Sequence, residues 1–164
     1  NEILNFVSER DELTQIKNRR GFMEQAMKMN RIYKNRKAII LFADMDGLKQ
    51  INDNYGHAAG DIAICACADI LKKVAGVHGI AGRLGGDEFA ILSIALSFDM
   101  FENLKARLAD LCKKWNESSK EEFTLSISLG AVAFSRNNAD LSKLLKLADI
   151  EQYKEKEKHK ANRK

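Results

Sequence analysis

Ile80-Ala81-Gly82-Arg83-Leu84-Gly85-Gly86-Asp87-Glu88-Phe89-Ala90-Ile91-Leu92-Ser93-Ile94 holds two apolar runs, 80–84 and 89–94, around a Gly-Gly-Asp-Glu centre. Each run has the length of a strand. Paired glycines between them let the chain reverse, so the stretch reads as a β-hairpin. The same glycines let backbone come close to a bulky ligand, and Asp87 and Glu88 put two carboxylates at the tip.

Outward from the hairpin, Lys37-Ala38-Ile39-Ile40-Leu41-Phe42-Ala43 is a continuous apolar run, the pattern of a strand buried on both faces. It ends at Asp44-Met45-Asp46-Gly47. A helical lead-in is expected over 1–10, and Asp11 and Thr14 precede a turn at Asn18-Arg19-Arg20 that opens a helix over 19–35, with Phe22, Ala26 and Met29 as its apolar stripe. A polar stretch, 49–57, separates the strand from a helix over 58–75, where Ile62, Ala66, Ile70 and Val74 recur at spacing four. Beyond the hairpin come a helix over 98–116, a strand over 123–134, and a last helix over 139–158 with Leu141, Leu144, Leu145 and Ala148 inward. The order predicts one α+β domain over 11–164, its central, mostly antiparallel sheet flanked by helices.

The chain has 164 residues, 45% hydrophobic and 30% charged, with no proline and a formal net charge of +4. That supports one hydrophobic core. The modest basic excess suits an anionic ligand such as a nucleotide. With 7% aromatics and no basic stripe with stacking rings, nothing indicates nucleic-acid binding. Cys65, Cys67 and Cys112 have no metal-site spacing and read as packing residues in a reducing cytoplasm. The longest apolar run is too short to span a bilayer, so no membrane contact is expected within the segment. The chain opens inside a helical pattern, which leads to the expectation of an upstream sensor or regulatory domain, with any membrane tether there.

Strand-end and hairpin carboxylates together can coordinate Mg²⁺, a hard cation that takes oxygen ligands and leaves positions for phosphate. Two such ions can assist an in-line attack on an α-phosphate. In the segment Lys49 to Asp61, Asn52 and Asp53 are able to cap a turn, and Asp61 to favour the first turn of its helix. Alternatively, a carboxylate there accepts from guanine N1–H and the 2-amino group, donors that adenine lacks.

Five ordered blocks carry a family resemblance: Asp11-x-Leu13-Thr14-x-x-x-Asn18-Arg19-Arg20-x-Phe22; Asp44-x-Asp46-x-Leu48-Lys49-x-Ile51-Asn52-Asp53-x-Tyr55-Gly56-His57-x-x-Gly60-Asp61; Arg83-x-Gly85-Gly86-Asp87-Glu88-Phe89; Ser126-Ile127-Ser128-Leu129-Gly130; and Ala148-Asp149 with Tyr153, Lys154 and Lys156. Together they resemble the GGDEF domain of diguanylate cyclases, a palm-like nucleotidyl-cyclase fold. The resemblance implies that two GTP become cyclic di-GMP and two pyrophosphates, in a homodimer, with Mg²⁺ or Mn²⁺, two ions per site. It implies metal ligation by Asp44, the Met45 carbonyl, Asp87 and Glu88, with Glu88 also the catalytic acidic residue. It further implies guanine contacts from Asn52 and Asp61, and phosphate contacts from Gly47, Leu48, Lys49, Lys156 and Lys160. The alternative is a catalytically silent GTP-binding module of the same fold.

The chain departs from the family pattern in places. Gly47-Leu48 stands where bulkier aromatic residues are common. Glu151, Gln152 and Glu155 replace mostly small or apolar residues, His159 stands at a usual glycine, and Lys160 at a usual Arg. Many relatives carry an inhibitory product site, Arg-x-x-Asp, before the namesake block. Gly76-Val77-His78-Gly79 occupies that place, so no such site is expected.

Overall fold

β2 (Lys37–Met45) is buried along almost its whole length because it lies between two strands and two layers of helix. The computed structural model describes residue 3 and residues 8–33, 36–94, 99–135 and 140–162. Most of the expected lead-in therefore lies outside the described residues. The other strands are β1 (Lys17–Asn18), β3 (Gly79–Gly85), β4 (Glu88–Ile94) and β5 (Ile127–Ser135). They form one sheet in the order β1-β3-β4-β2-β5. β3–β4, β4–β2 and β2–β5 are antiparallel; only the short β1 runs parallel, to β3. The mostly antiparallel α+β expectation stands, with β1 making the sheet mixed.

Alternation along β2 divides the core. Ile39, Leu41, Ala43 and Met45 pack under α3 (His57–Ala75) and α4 (Asp99–Ser118). Ala38, Ile40 and Phe42 pack under α1 (Arg19–Ile32) and α5 (Leu141–Asn162). The same alternation puts Asp44 and Asp46 on the α5 side. α1 starts where the Asn18 side chain accepts from the Gly21 N–H at 2.8 Å, an N-cap that satisfies a free helix-end donor.

Three sequence expectations change. The polar stretch 49–57 is mostly helix: α2 spans Leu48–Tyr55 and is held by the one buried apolar residue it offers, Ile51. Asn and Asp weaken intrinsic helicity there, and packing against α3 overrides them. The strand expected from 123 starts at Ile127. The Asn116 amide takes both backbone groups of Leu125, donating to its carbonyl at 3.0 Å and accepting from its N–H at 2.7 Å. A side chain thus stands in for a neighbouring strand. Finally, Ile62 is exposed rather than inward, and α3 turns Ala63, Cys67, Ile70 and Val74 to the core.

Candidate functional site

The hairpin meets the end of β2 through backbone. Met45 N–H donates to the Asp87 carbonyl at 3.0 Å, and Asp44 lies directly across from Glu88. Cross-strand partners share a face, so Asp44 and Glu88 emerge on the α5 side. A register shift between Arg83 and Gly85, with Gly86 at φ 34°, tightens the turn.

Asp44 sits at the centre of the charge. Its Oδ2 accepts from Lys156 Nζ at 3.0 Å, reaching in from α5. Its Oδ1 is buried with no hydrogen-bond partner among the described residues. Burial pushes the Asp44 carboxyl up to about 7; Lys156 opposes the rise and the neighbouring Asp87 carboxyl adds to it. For Lys156, burial works against the charge, but Asp44, Asp46 and Asp87 outweigh it and hold the ammonium above its usual value.

Asp46, two residues on, also faces the cleft. Its two oxygens accept from the hydroxyls of Ser126, at 2.7 Å, and Ser128, at 2.8 Å. It therefore ties the ends of β2 and β5 together while lining the cleft wall.

That cleft has a volume of about 700 Å³. Gly47, Leu48, Lys49, Lys156 and Lys160 all line it, together with Asp87. Gly47 adopts a left-handed conformation (φ 75°) as the N-cap of α2 and offers no side chain to the free N–H groups behind it. An uncapped helix start on a cleft with three lysines suits an anion. A further part of the wall, Phe123 and Thr124 with the Tyr55 ring against Phe123 at 6.0 Å, was not among the residues expected from the sequence. It exists because Asn116 diverts 123–125 out of the sheet. The signal was an apolar residue, Phe123, beside Trp115, which it stacks on at 5.7 Å.

Asn52 and Asp61 lie apart from this cleft. The Asn52 amide packs on α3 at Gly60, where any Cβ would collide with its Oδ1. That close approach sets Asn52 beside the residue preceding Asp61. Asp61 itself is exposed, in a separate depression of about 360 Å³ with Cys65 and Trp115.

The donors fit a hard divalent cation. Asp44 has an unpartnered buried oxygen beside a second carboxylate, a crowding of like charge that a cation relieves. Among the described residues, no three acidic, histidine or cysteine side chains yet converge on one point, and Lys156 holds the counter-charge. No helix among those residues is long and apolar enough to cross a membrane.

A sequence model of the family described as "Diguanylate cyclase, GGDEF domain" matches residues 8–162. Diguanylate cyclase DgcP of Escherichia coli is 32% identical over 160 residues, covering 92% of this chain and 45% of that protein. Biofilm architecture maintenance protein MbaA of Vibrio cholerae is 30% identical over 160 residues, 92% of this chain and 20% of that protein. The chain thus spans less than half the length of these two relatives. Among solved structures, the GGDEF domain of YfiN from Pseudomonas aeruginosa superposes with a TM-score of 0.81 at 27% identity, covering 91% of this chain and 89% of that one. Diguanylate cyclase SiaD of the same organism, solved with its activator SiaC, gives 0.83 at 25% identity, covering 96% and 62%.

Proposed function

The chain belongs to the GGDEF-domain diguanylate cyclase family, and on that premise we propose that it condenses two GTP into cyclic di-GMP and two pyrophosphates. The observation that carries this reading is the cleft itself. All five residues expected to hold phosphate surround one opening, with Asp87 on its rim and Asp44 reached through Lys156.

In this reading the triphosphate lies over the start of α2. The amides at Gly47 and Leu48 and the ammonium groups of Lys49, Lys156 and Lys160 hold its β- and γ-phosphates. Asp44, the Met45 carbonyl, Asp87 and Glu88 would hold Mg²⁺ or Mn²⁺, two ions per site, which when bound neutralise phosphate charge and favour in-line displacement. Asn52 and Asp61 receive the guanine, whose N1–H and 2-amino donors match a carboxylate. Glu88 takes the proton from a ribose 3′-hydroxyl. The 3′-oxygen bonds to the α-phosphorus of the opposite GTP as the bond to pyrophosphate breaks, and the reciprocal attack closes the ring. Each domain supplies one GTP, so a two-fold symmetric product requires two domains face to face.

An artificially dimerised form, incubated with GTP and Mg²⁺ and assayed by mass, is expected to yield one cyclic di-GMP per two pyrophosphates. GTP binding without product would assign the chain instead to the silent, GTP-binding regulatory class. Asp61→Ser should erode the preference for GTP over ATP; unchanged selectivity would remove Asp61 from base recognition.

A further inference from the structure

We propose that Glu155 is a positioning residue: it fixes α5 over β5 so that Lys156, the next residue, enters the cleft. The inference rests on the phosphate-binding reading of Lys156 above.

α5 lies directly on the β5 backbone at Gly130, where a Cβ would collide with the Gln152 amide nitrogen and the Ala148 carbonyl. That contact sets the distance between helix and strand, while side chains along the helix, Leu141 and Leu145 at its start among them, oppose a roll about its axis. Glu155, three residues towards the cleft, resists that roll at two points. Its Oε1 accepts from the Leu129 N–H of β5 at 3.4 Å, and its Oε2 pairs with Lys105 Nζ of α4 at 2.9 Å. The Glu155 side chain is only 15% exposed, so the pair is shielded from water on the carboxylate side. The hydrogen bond that Lys105 donates to Glu155 favours the charged form of the lysine against the cost of its partial burial. One residue on, a little over a quarter-turn around the helix, Lys156 extends to Asp44 at the end of β2. A roll of α5 would carry the Lys156 ammonium along the cleft wall, away from both Asp44 and any phosphate.

The test uses Glu155→Gln, which keeps an acceptor for Leu129 but loses the ion pair, and Lys105→Met, which loses the pair from a half-exposed partner. GTP and GMP affinities are measured by calorimetry with Ca²⁺ replacing Mg²⁺. Each variant is expected to weaken GTP by roughly threefold to tenfold, the scale of a partly lost charge-assisted contact, and to leave GMP unchanged. In a Lys156→Met background the same changes should have no further effect on GTP, because the loss passes through that lysine. An equal loss for GMP, no loss for GTP, or a loss that persists without Lys156 would overturn the proposal. A second readout needs no nucleotide: side-chain ammonium NMR, with the Lys156 signal assigned by its disappearance in Lys156→Met. Hydrogen exchange at Lys156 should be slow in the native chain and faster in Glu155→Gln; unchanged exchange overturns the inference whatever the fate of the GTP reading. Failure of the native chain to bind GTP overturns that reading instead.

Discussion

Asp11 and Arg83 lie 72 positions apart in the chain and 3.2 Å apart in space. Asp11 also accepts from the Thr14 N–H and hydroxyl, while Arg83 Nε donates to the Gly86 carbonyl at 3.0 Å. One ion pair therefore joins the N-terminal turn to the hairpin bearing Asp87 and Glu88. Burial alone would raise the Asp11 carboxyl; its bonds to Thr14 and the Arg83 charge overcome that and hold it below its usual value. A depressed carboxylate stabilises the fold above its unfolded pKa, and that contribution is lost as pH falls through the folded value. Arg83→Met is expected to destabilise by about 1–3 kcal/mol and to steepen the acid limb less than in the native chain. Denaturant titrations at pH 7 and pH 3 measure both. A double-mutant cycle with Asp11→Asn should show coupling.

Asp44 gives the opposite sign. Its carboxyl, raised by burial to about 7, holds a proton that the unfolded chain releases near the ordinary carboxyl value of 3.8. The native state then binds more protons across that window. The contribution is fully present below about 4 and is lost as pH rises towards 7. Asp44→Asn should flatten this fall, which is at most about 1.4 kcal/mol per pH unit. Because a cation competes with the proton, Mg²⁺ affinity should increase as pH rises through 7. Calorimetry across pH 6–8 reads the second effect, and a flat affinity would remove Asp44 from the metal site.

Gly130→Ala places a methyl group against the α5 backbone, at Gln152 and Ala148, where no side-chain rotation relieves it. The helix has to move outward, at a cost of about 1–3 kcal/mol. Since Lys156 rides on that helix, the variant should lose GTP affinity as well as thermal stability. Calorimetric titration alongside a thermal melt checks whether the two losses occur together.

The turn between α3 and β3, Gly76-Val77-His78-Gly79, exposes Val77 almost fully and carries no arginine–aspartate pair. Cyclic di-GMP is therefore expected to inhibit only by competing with GTP. A dose series against initial rate tests this. Strong non-competitive inhibition, relieved by changing His78 and its neighbours, would contradict it.

The sheet was legible because its signals are local. Apolar runs at 37–43, 80–84 and 89–94 have one reading each, and the Gly85-Gly86 centre admits a turn and little else. α2 was not legible, since Asn52, Asp53 and Asn54 favour turns and only the packing of Ile51 makes them helical. That Gly47, Leu48, Lys49, Lys156 and Lys160 belong together was legible as an expectation from position, and their gathering around one cleft follows from α5 crossing the end of β2. The structural use of Asp46 was not, because its partners, Ser126 and Ser128, lie 80 and 82 residues away. Nor was the clamp of Asn116 on Leu125, a pairing between a helix end and a strand approach that no periodicity encodes.

Glu88 stands directly across from Asp44 where β4 pairs with the end of β2. The most direct measurement compares the dimerised native chain with Glu88→Gln for both cyclic di-GMP formation and GTP affinity. The native chain is expected to form cyclic di-GMP, and the variant to lose turnover by at least about 10²-fold while its GTP affinity stays within a few-fold. Equal product formation by both proteins, or no product from the native chain despite bound GTP and Mg²⁺, would contradict it.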